Sequence, residues 1–123
     1  MYNKTLRVNA VRVGLKEVKN LLVDEAPLSQ WQITNGGSNL VRECTFKTFE
    51  QTWAFLTQVS MRAHLWGHHP TVITTYNRVR IELTTHDIPN DSTTPSSSGV
   101  LSDIDIKLAK QVEKYLELYS PKK

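Results

Sequence analysis

A chain of 123 residues and 14.1 kDa suits a single domain, with about 6,700 Å² of surface expected folded against roughly 20,400 Å² unfolded. At 39% hydrophobic and 22% charged residues it reads as globular rather than disordered. No apolar run approaches the roughly 18 residues of a membrane span, and a lone cysteine, Cys44, excludes a disulfide framework and a multi-thiolate zinc site. The net charge of +3 resides in the N-terminus. Lys4, Arg7, Arg12, Lys16 and Lys19 stand there against Glu17 alone, so residues 20–123 sum to −1. No basic face interleaved with aromatics offers itself to nucleic acid.

Residues 1–14 form a basic, acid-free extension. It is either an organelle-targeting start or a strand-like terminus with solvated cations, which leaves the compartment open between cytoplasm and mitochondrion. Leu15, Val18, Leu21 and Leu22 recur at helical spacing, predicting an amphipathic helix over 15–24 that Pro27 closes off. Trp31 and Ile33, then Asn35-Gly36-Gly37-Ser38, then Leu40 to Lys47 read as a β-hairpin whose glycines supply positive φ. Thr48 and Gln51 have capping-box spacing, so a helix should start at Thr48. Its expected core stripe is Phe49, Trp53, Leu56, Ser60 and Ala63, widened by Phe55, Val59 and Trp66. Gly67 and Pro70 end it, the first by permitting a left-handed exit and the second by barring the α region for His69.

Thr71–Tyr76 and Val79–Thr85 predict a second hairpin around Asn77-Arg78, with Val79, Ile81 and Leu83 alternating against Arg80, Glu82 and Thr84. Residues 87–101 form an extended polar loop rich in Pro, Ser, Thr, Asn and Asp. Ser102 and Asp105 have N-cap spacing for a last helix striped with Ile104, Leu108, Val112, Tyr115 and Tyr119, flanked by Ala109 and Leu116. That face spans about 140° at 100° per residue, wide enough for a sheet and for a partner helix. The predicted fold is α+β, a single domain of order α-β-β-α-β-β-α with a four-stranded antiparallel sheet and helices on one face. Cys44 reads as a small core residue of its strand.

All four histidines fall between residues 64 and 86: His64, His68, His69 and His86. His64 and His68 are four apart near the end of the helix and are expected to share a face, His69 leaves in another direction ahead of Pro70, and His86 ends the last strand. Three readings compete: scattered surface imidazoles, a metal site, and metal-free acid–base catalysis. His-x-x-x-His with His86 as a third ligand would suit a metal, but the run lacks the glutamate of a zinc hydrolase motif. Imidazoles titrate near pH 6.5, so one can be protonated beside a neutral neighbour, as a dehydration needs. No nucleophile elbow, phosphate loop or dinucleotide fingerprint is present.

The run His64-x-x-x-His68-His69-Pro70, then Tyr76, then His86 resembles the signature of the pterin-4a-carbinolamine dehydratases. So do Phe46 to His64 with Trp53-Ala54-Phe55, the segment Leu21-Leu22 leading to Trp31, and Leu101-Ser102-Asp103-Ile104-Asp105-Ile106 with Leu108-Ala109. The likeness covers roughly residues 20–118. It implies dehydration of 4a-hydroxytetrahydropterin to quinonoid dihydropterin in tetrahydrobiopterin recycling, with no metal and no cofactor. It also implies catalytic roles for His68, His69 and His86, and pterin contacts along Gly67-His68-His69 and Thr84-Thr85-His86-Asp87. His64 stands where the family often has an acid. Asp105 or Asp87 is expected to support His86, the first separated from it by 18 residues. A reduced pterin is the implied partner and a homo-oligomer, dimer or tetramer, the implied assembly. A non-catalytic pterin-binding or dimerisation-cofactor module on the same fold is the alternative.

Overall fold

The structure is a computed structural model that describes residues 11–85 and 100–119. Among the described residues three α-helices and four strands follow in the order α1 (Leu15–Asp24), β1 (Gln32–Thr34), β2 (Asn39–Thr45), α2 (Phe49–Leu65), β3 (Thr71–Thr75), β4 (Arg78–Leu83) and α3 (Asp103–Glu117), with short 3-10 turns at Ala26–Leu28 and Asn35–Gly37. This is the expected α-β-β-α-β-β-α order. All strand pairs are antiparallel and the sheet order is β1-β2-β4-β3. Leu40 opposes Leu83 and Cys44 opposes Val79, so one face carries Leu40, Val79, Ile81 and Leu83, all buried against the helices. On the other face Arg80 is paired with Glu43 at 2.6 Å and Glu82 at 2.7 Å.

Local chemistry sets the boundaries. The first turn is built from Asn35, Gly36 and Gly37 at φ 57, 66 and 103, and a Cβ on Gly37 would lie 3.3 Å from Leu15 Cδ1. Thr48 caps α2, its hydroxyl accepting from Gln51 N–H at 3.0 Å. The second turn falls on Tyr76-Asn77 rather than Asn77-Arg78, because Thr75 pairs with Arg78. Tyr76 takes the positive φ of 51, and Asn77 is held to Phe46 by two hydrogen bonds of 2.8 Å.

The core stripe of α2 differs from the expected one. Its buried positions are Thr52, Phe55, Leu56, Val59 and Ala63, whereas Phe49 and Trp53 are about half exposed, and Ser60 is exposed. Phe49 instead meets Trp53 and stacks on Tyr76, both with ring centroids at 6.3 Å. Thr52 can occupy the interior because its hydroxyl donates to Thr48 C=O at 2.9 Å, leaving no orphaned donor. The α3 stripe is spent on the core: Leu108, Ala109, Val112 and Leu116 are buried, with Tyr115 and Tyr119 packed beside them. Residues 11–13 run strand-like against the start of α3, Val13 N–H donating to Leu101 C=O and Asp103 N–H to Val11 C=O, each at 2.9 Å.

Candidate active site

The site grows from two helix ends. At the C-terminus of α2, Gly67 sits at φ 70. His68 N–H reaches back to Ala63 C=O at 3.0 Å and Gly67 N–H to His64 C=O at 3.1 Å. These are the two bonds of a Schellman cap, and they throw His68 out of the helix and toward α3. The end of α2 is fixed against α3 by Arg62 Nε donating to Tyr115 Oη at 3.1 Å and by Lys107 Nζ 4.5 Å above the Trp66 ring.

At the N-terminus of α3, Ser102 is the N-cap and Asp105 occupies the third helical position. Asp105 is fully buried. Its Oδ2 accepts from Ser102 N–H at 2.9 Å and from the Thr85 hydroxyl at 2.8 Å. Its Oδ1 stands 2.6 Å from His68 Nε2. A buried carboxylate is tolerable only when its lone pairs are occupied, and here they are. The Thr85 and Ser102 hydroxyls are 2.7 Å apart. Since the one Thr85 hydroxyl proton goes to Asp105, Ser102 is the donor in that contact.

The carboxylate also fixes the His68 tautomer. An acceptor at 2.6 Å requires the proton on Nε2, which leaves Nδ1, without a partner among the described residues, to take up or give a proton. The His68 side chain is only 12% exposed. His68 is therefore an oriented, largely desolvated imidazole with one working nitrogen.

His64 and His69 form a separate pair. The turn at Gly67 and Pro70 folds His69 back over the last turn of α2, where its Nε2 lies 3.3 Å from His64 Nδ1 and the rings are 5.5 Å apart. Both are exposed. The anticipated pairing of His64 with His68 on one helix face does not form, because α2 ends at Leu65 and His68 lies beyond the left-handed turn. Among the described residues no cluster of three or more His, Cys, Asp and Glu could hold a metal.

Of the other expected residues, Thr85 joins the Asp105 network, whereas Thr84 turns its hydroxyl to Ser38 C=O at 2.6 Å. Asp105 holds His68. Its expected partner His86, and Asp87 with it, lie outside the described residues, but Thr85 immediately before them is fixed by paired bonds to Val100, 2.9 and 3.0 Å. Ser102, read from the sequence only as a helix cap, proves to be a site residue. Its signal was the capping-box spacing to Asp105, which places an acid at the one position able to reach both the cap and a neighbouring element.

The model of the family described as pterin 4 alpha carbinolamine dehydratase matches residues 12–115. The chain belongs to that family. A candidate pterin-4-alpha-carbinolamine dehydratase of Saccharomyces cerevisiae is 42% identical over 124 aligned residues, 95% of this chain and 97% of the relative. A relative of the same description from Saccharolobus solfataricus is 36% identical, over 81% of this chain and 90% of its own. Among solved structures, the transcriptional coactivator/pterin dehydratase from Brucella melitensis superposes with a TM-score of 0.70 at 27% identity. That match covers 85% of this chain and 97% of the other. A pterin dehydratase-like protein described as a RuBisCO assembly factor in the alpha-carboxysome shares the fold, with a TM-score of 0.54 at 18% identity over 70% and 91%.

Proposed function

We propose that this member of the pterin dehydratase family is a hydro-lyase that dehydrates 4a-hydroxytetrahydropterin to quinonoid dihydropterin in tetrahydrobiopterin recycling. The observation that carries the reading is the 2.6 Å contact between His68 Nε2 and the buried Asp105 carboxylate. It gives one imidazole a fixed tautomer and a counter-charge for its protonated form, the two properties a proton-transfer group needs. In the reaction the C4a–O bond breaks as an imidazolium protonates the departing hydroxyl. The N5 proton passes to a neutral imidazole, and the N5 electron pair closes the C4a=N5 double bond. His68 and His86 flank the reacting carbon, and His69 assists. Gly67, Thr84, Thr85 and Asp87 border the pterin, with Thr85 acting through Asp105. Each proton transfer contributes about 10²–10⁴ in rate.

The deciding measurement is dehydration of synthetic 4a-hydroxytetrahydropterin, followed by ultraviolet absorbance, for wild type, His68→Ala and His86→Ala with and without a chelator. Turnover that survives chelation and collapses in both variants supports the proposal. A folded wild-type protein that gives no acceleration over the spontaneous reaction sinks it, and leaves a non-catalytic pterin-binding or dimerisation module. We infer a homo-oligomer through β3 rather than through α3. This edge strand leaves Val72 at 38% and Ile73 at 52% exposure, with unpaired backbone groups that a second copy can complete.

A further inference from the structure

We propose that His64 and His69 form a two-imidazole chelate for a single zinc ion at the C-terminal end of α2. The geometry that motivates it is the 3.3 Å separation of His64 Nδ1 and His69 Nε2. Two nitrogens each about 2.0–2.1 Å from one zinc ion at the tetrahedral angle stand about 3.3–3.4 Å apart. A square-planar bite would bring them to about 2.8–3.0 Å at the same bond lengths. Without a metal the same contact is an N–H···N hydrogen bond between the two rings.

Three further features favour the cation. Both rings are exposed, so an ion and two completing waters have access. His64 lies in the last turn of α2, where the helix dipole attracts positive charge. The arrangement is also held in place. Gly67 at φ 70 and the two Schellman bonds fix the reversal, and Pro70 restricts the backbone of His69, so little ordering remains to be done on binding. The buried His68–Asp105 pair is not part of this chelate: His68 Nε2 is committed to the carboxylate. No His, Cys, Asp or Glu completes a three-ligand group among the described residues.

The consequence for turnover rests on the role proposed for His69, because an imidazole bound to zinc cannot assist a proton transfer. Zinc then acts as a reversible inhibitor at the rim of the site while the His68–Asp105 contact stays intact.

The test is calorimetric titration of the apo chain with zinc chloride, in chelator-free buffer at neutral pH. The proteins are wild type, His64→Gln, His69→Gln, His68→Gln and His86→Gln, with circular dichroism confirming that each is folded. Losing a group that only hydrogen-bonds to a zinc ligand costs a zinc site about 10–100-fold in affinity, so losing one of two ligands should cost at least about tenfold. One zinc per chain in wild type, weakened that much in His64→Gln and His69→Gln but not in the other two, supports the site. No binding, or binding weakened equally by His68→Gln or His86→Gln, overturns it. A parallel turnover assay separates the two proposals. Zinc that binds as described without slowing dehydration upholds the chelate and overturns the role of His69. Unimpaired dehydration in a protein that takes up no zinc overturns the chelate alone.

Discussion

Replacing Asp105 by Asn tests the centre of the site with the smallest change of shape. The carboxylate accepts on both oxygens: Oδ2 from Ser102 N–H and Thr85, Oδ1 from His68. An amide has one acceptor oxygen. Directed at Ser102 and Thr85, it turns its NH₂ onto His68 and forces the proton from Nε2 to Nδ1, the nitrogen needed for chemistry. Directed at His68, it sets NH₂ against the Ser102 N–H and gives up one arm of the cap, worth about 1 kcal/mol. An unsatisfied buried donor costs about 1–3 kcal/mol, so the first orientation is preferred, and exchanging charge-assisted hydrogen bonds for neutral ones still costs the protein roughly 1–3 kcal/mol overall. For a chain of this size that is a fall in Tm of roughly 5–15 °C, read by far-ultraviolet circular dichroism. Turnover per folded molecule should fall by about 10²–10⁴, the worth of a positioned acid or base. An Asn variant that melts with wild type and dehydrates the pterin within about twofold of it would show that the carboxylate neither caps α3 nor orients His68.

Three further outcomes follow from the geometry. Gly67→Ala places a Cβ in the left-handed region at φ 70 and should cost about 1–2 kcal/mol, read as a lower urea midpoint, with an unchanged midpoint counting against the Schellman account. Glu113→Ala removes the acceptor of both Trp31 Nε1–H and Arg42 Nε, each at 2.7 Å. It should cost about 1–3 kcal/mol for the stranded donors, with Glu113→Gln recovering part of the loss in the same urea titration. Burial pushes the Cys44 thiol up to about 11, so the thiolate fraction near pH 8 is about 0.1% rather than the roughly 10% of an unperturbed thiol. Alkylation of native protein should be slow at pH 8 and rise only above pH 10, while the urea-unfolded chain reacts quickly. Equal rates in the two states would contradict the burial.

The elements legible in the sequence are those that local chemistry writes. Thr48 with Gln51 marks the start of α2, Gly67 with Pro70 its end, and Asn35-Gly36-Gly37 the first turn; each appears in place. The α2 stripe departs from the expected one because hydropathy ranks Thr52 as polar and Phe49 and Trp53 as core. The backbone acceptor at Thr48 reverses that ranking for Thr52, and the neighbouring Tyr76 gives Phe49 a stacking partner outside the core. His64 and His69 escaped pairing for a related reason. Their contact depends on the chain reversing at Gly67, which makes five residues in sequence into one turn in space. Asp105 looked remote from the strand end because of the 18 residues between it and His86. Thr85 and Val100 bond to each other in both directions, which sets the strand end beside the start of α3. Loop closure costs grow only slowly with length, so 18 residues in sequence are no bar to that proximity.

One carboxylate thus serves two ends: it caps α3 through Ser102 and it orients His68 across the gap to α2. A folding requirement and a chemical one rest on the same atoms, which makes Asp105 variants poor at separating them. His68 is the better probe, because Asp105 keeps Ser102 N–H and the Thr85 hydroxyl as donors when the imidazole is gone. His68→Gln should therefore lower stability by less than about 1.5 kcal/mol, the net worth of one ordinary hydrogen bond, because the glutamine amide can also donate toward Oδ1. It removes the titrating nitrogen altogether, so turnover should fall by at least about 10²-fold. The measurement is paired: a urea midpoint and a dehydration rate on the same preparation. A stable variant that has lost turnover assigns His68 to the chemistry. If instead stability collapses in step with activity, the 2.6 Å contact holds the fold together and its catalytic role must be given up.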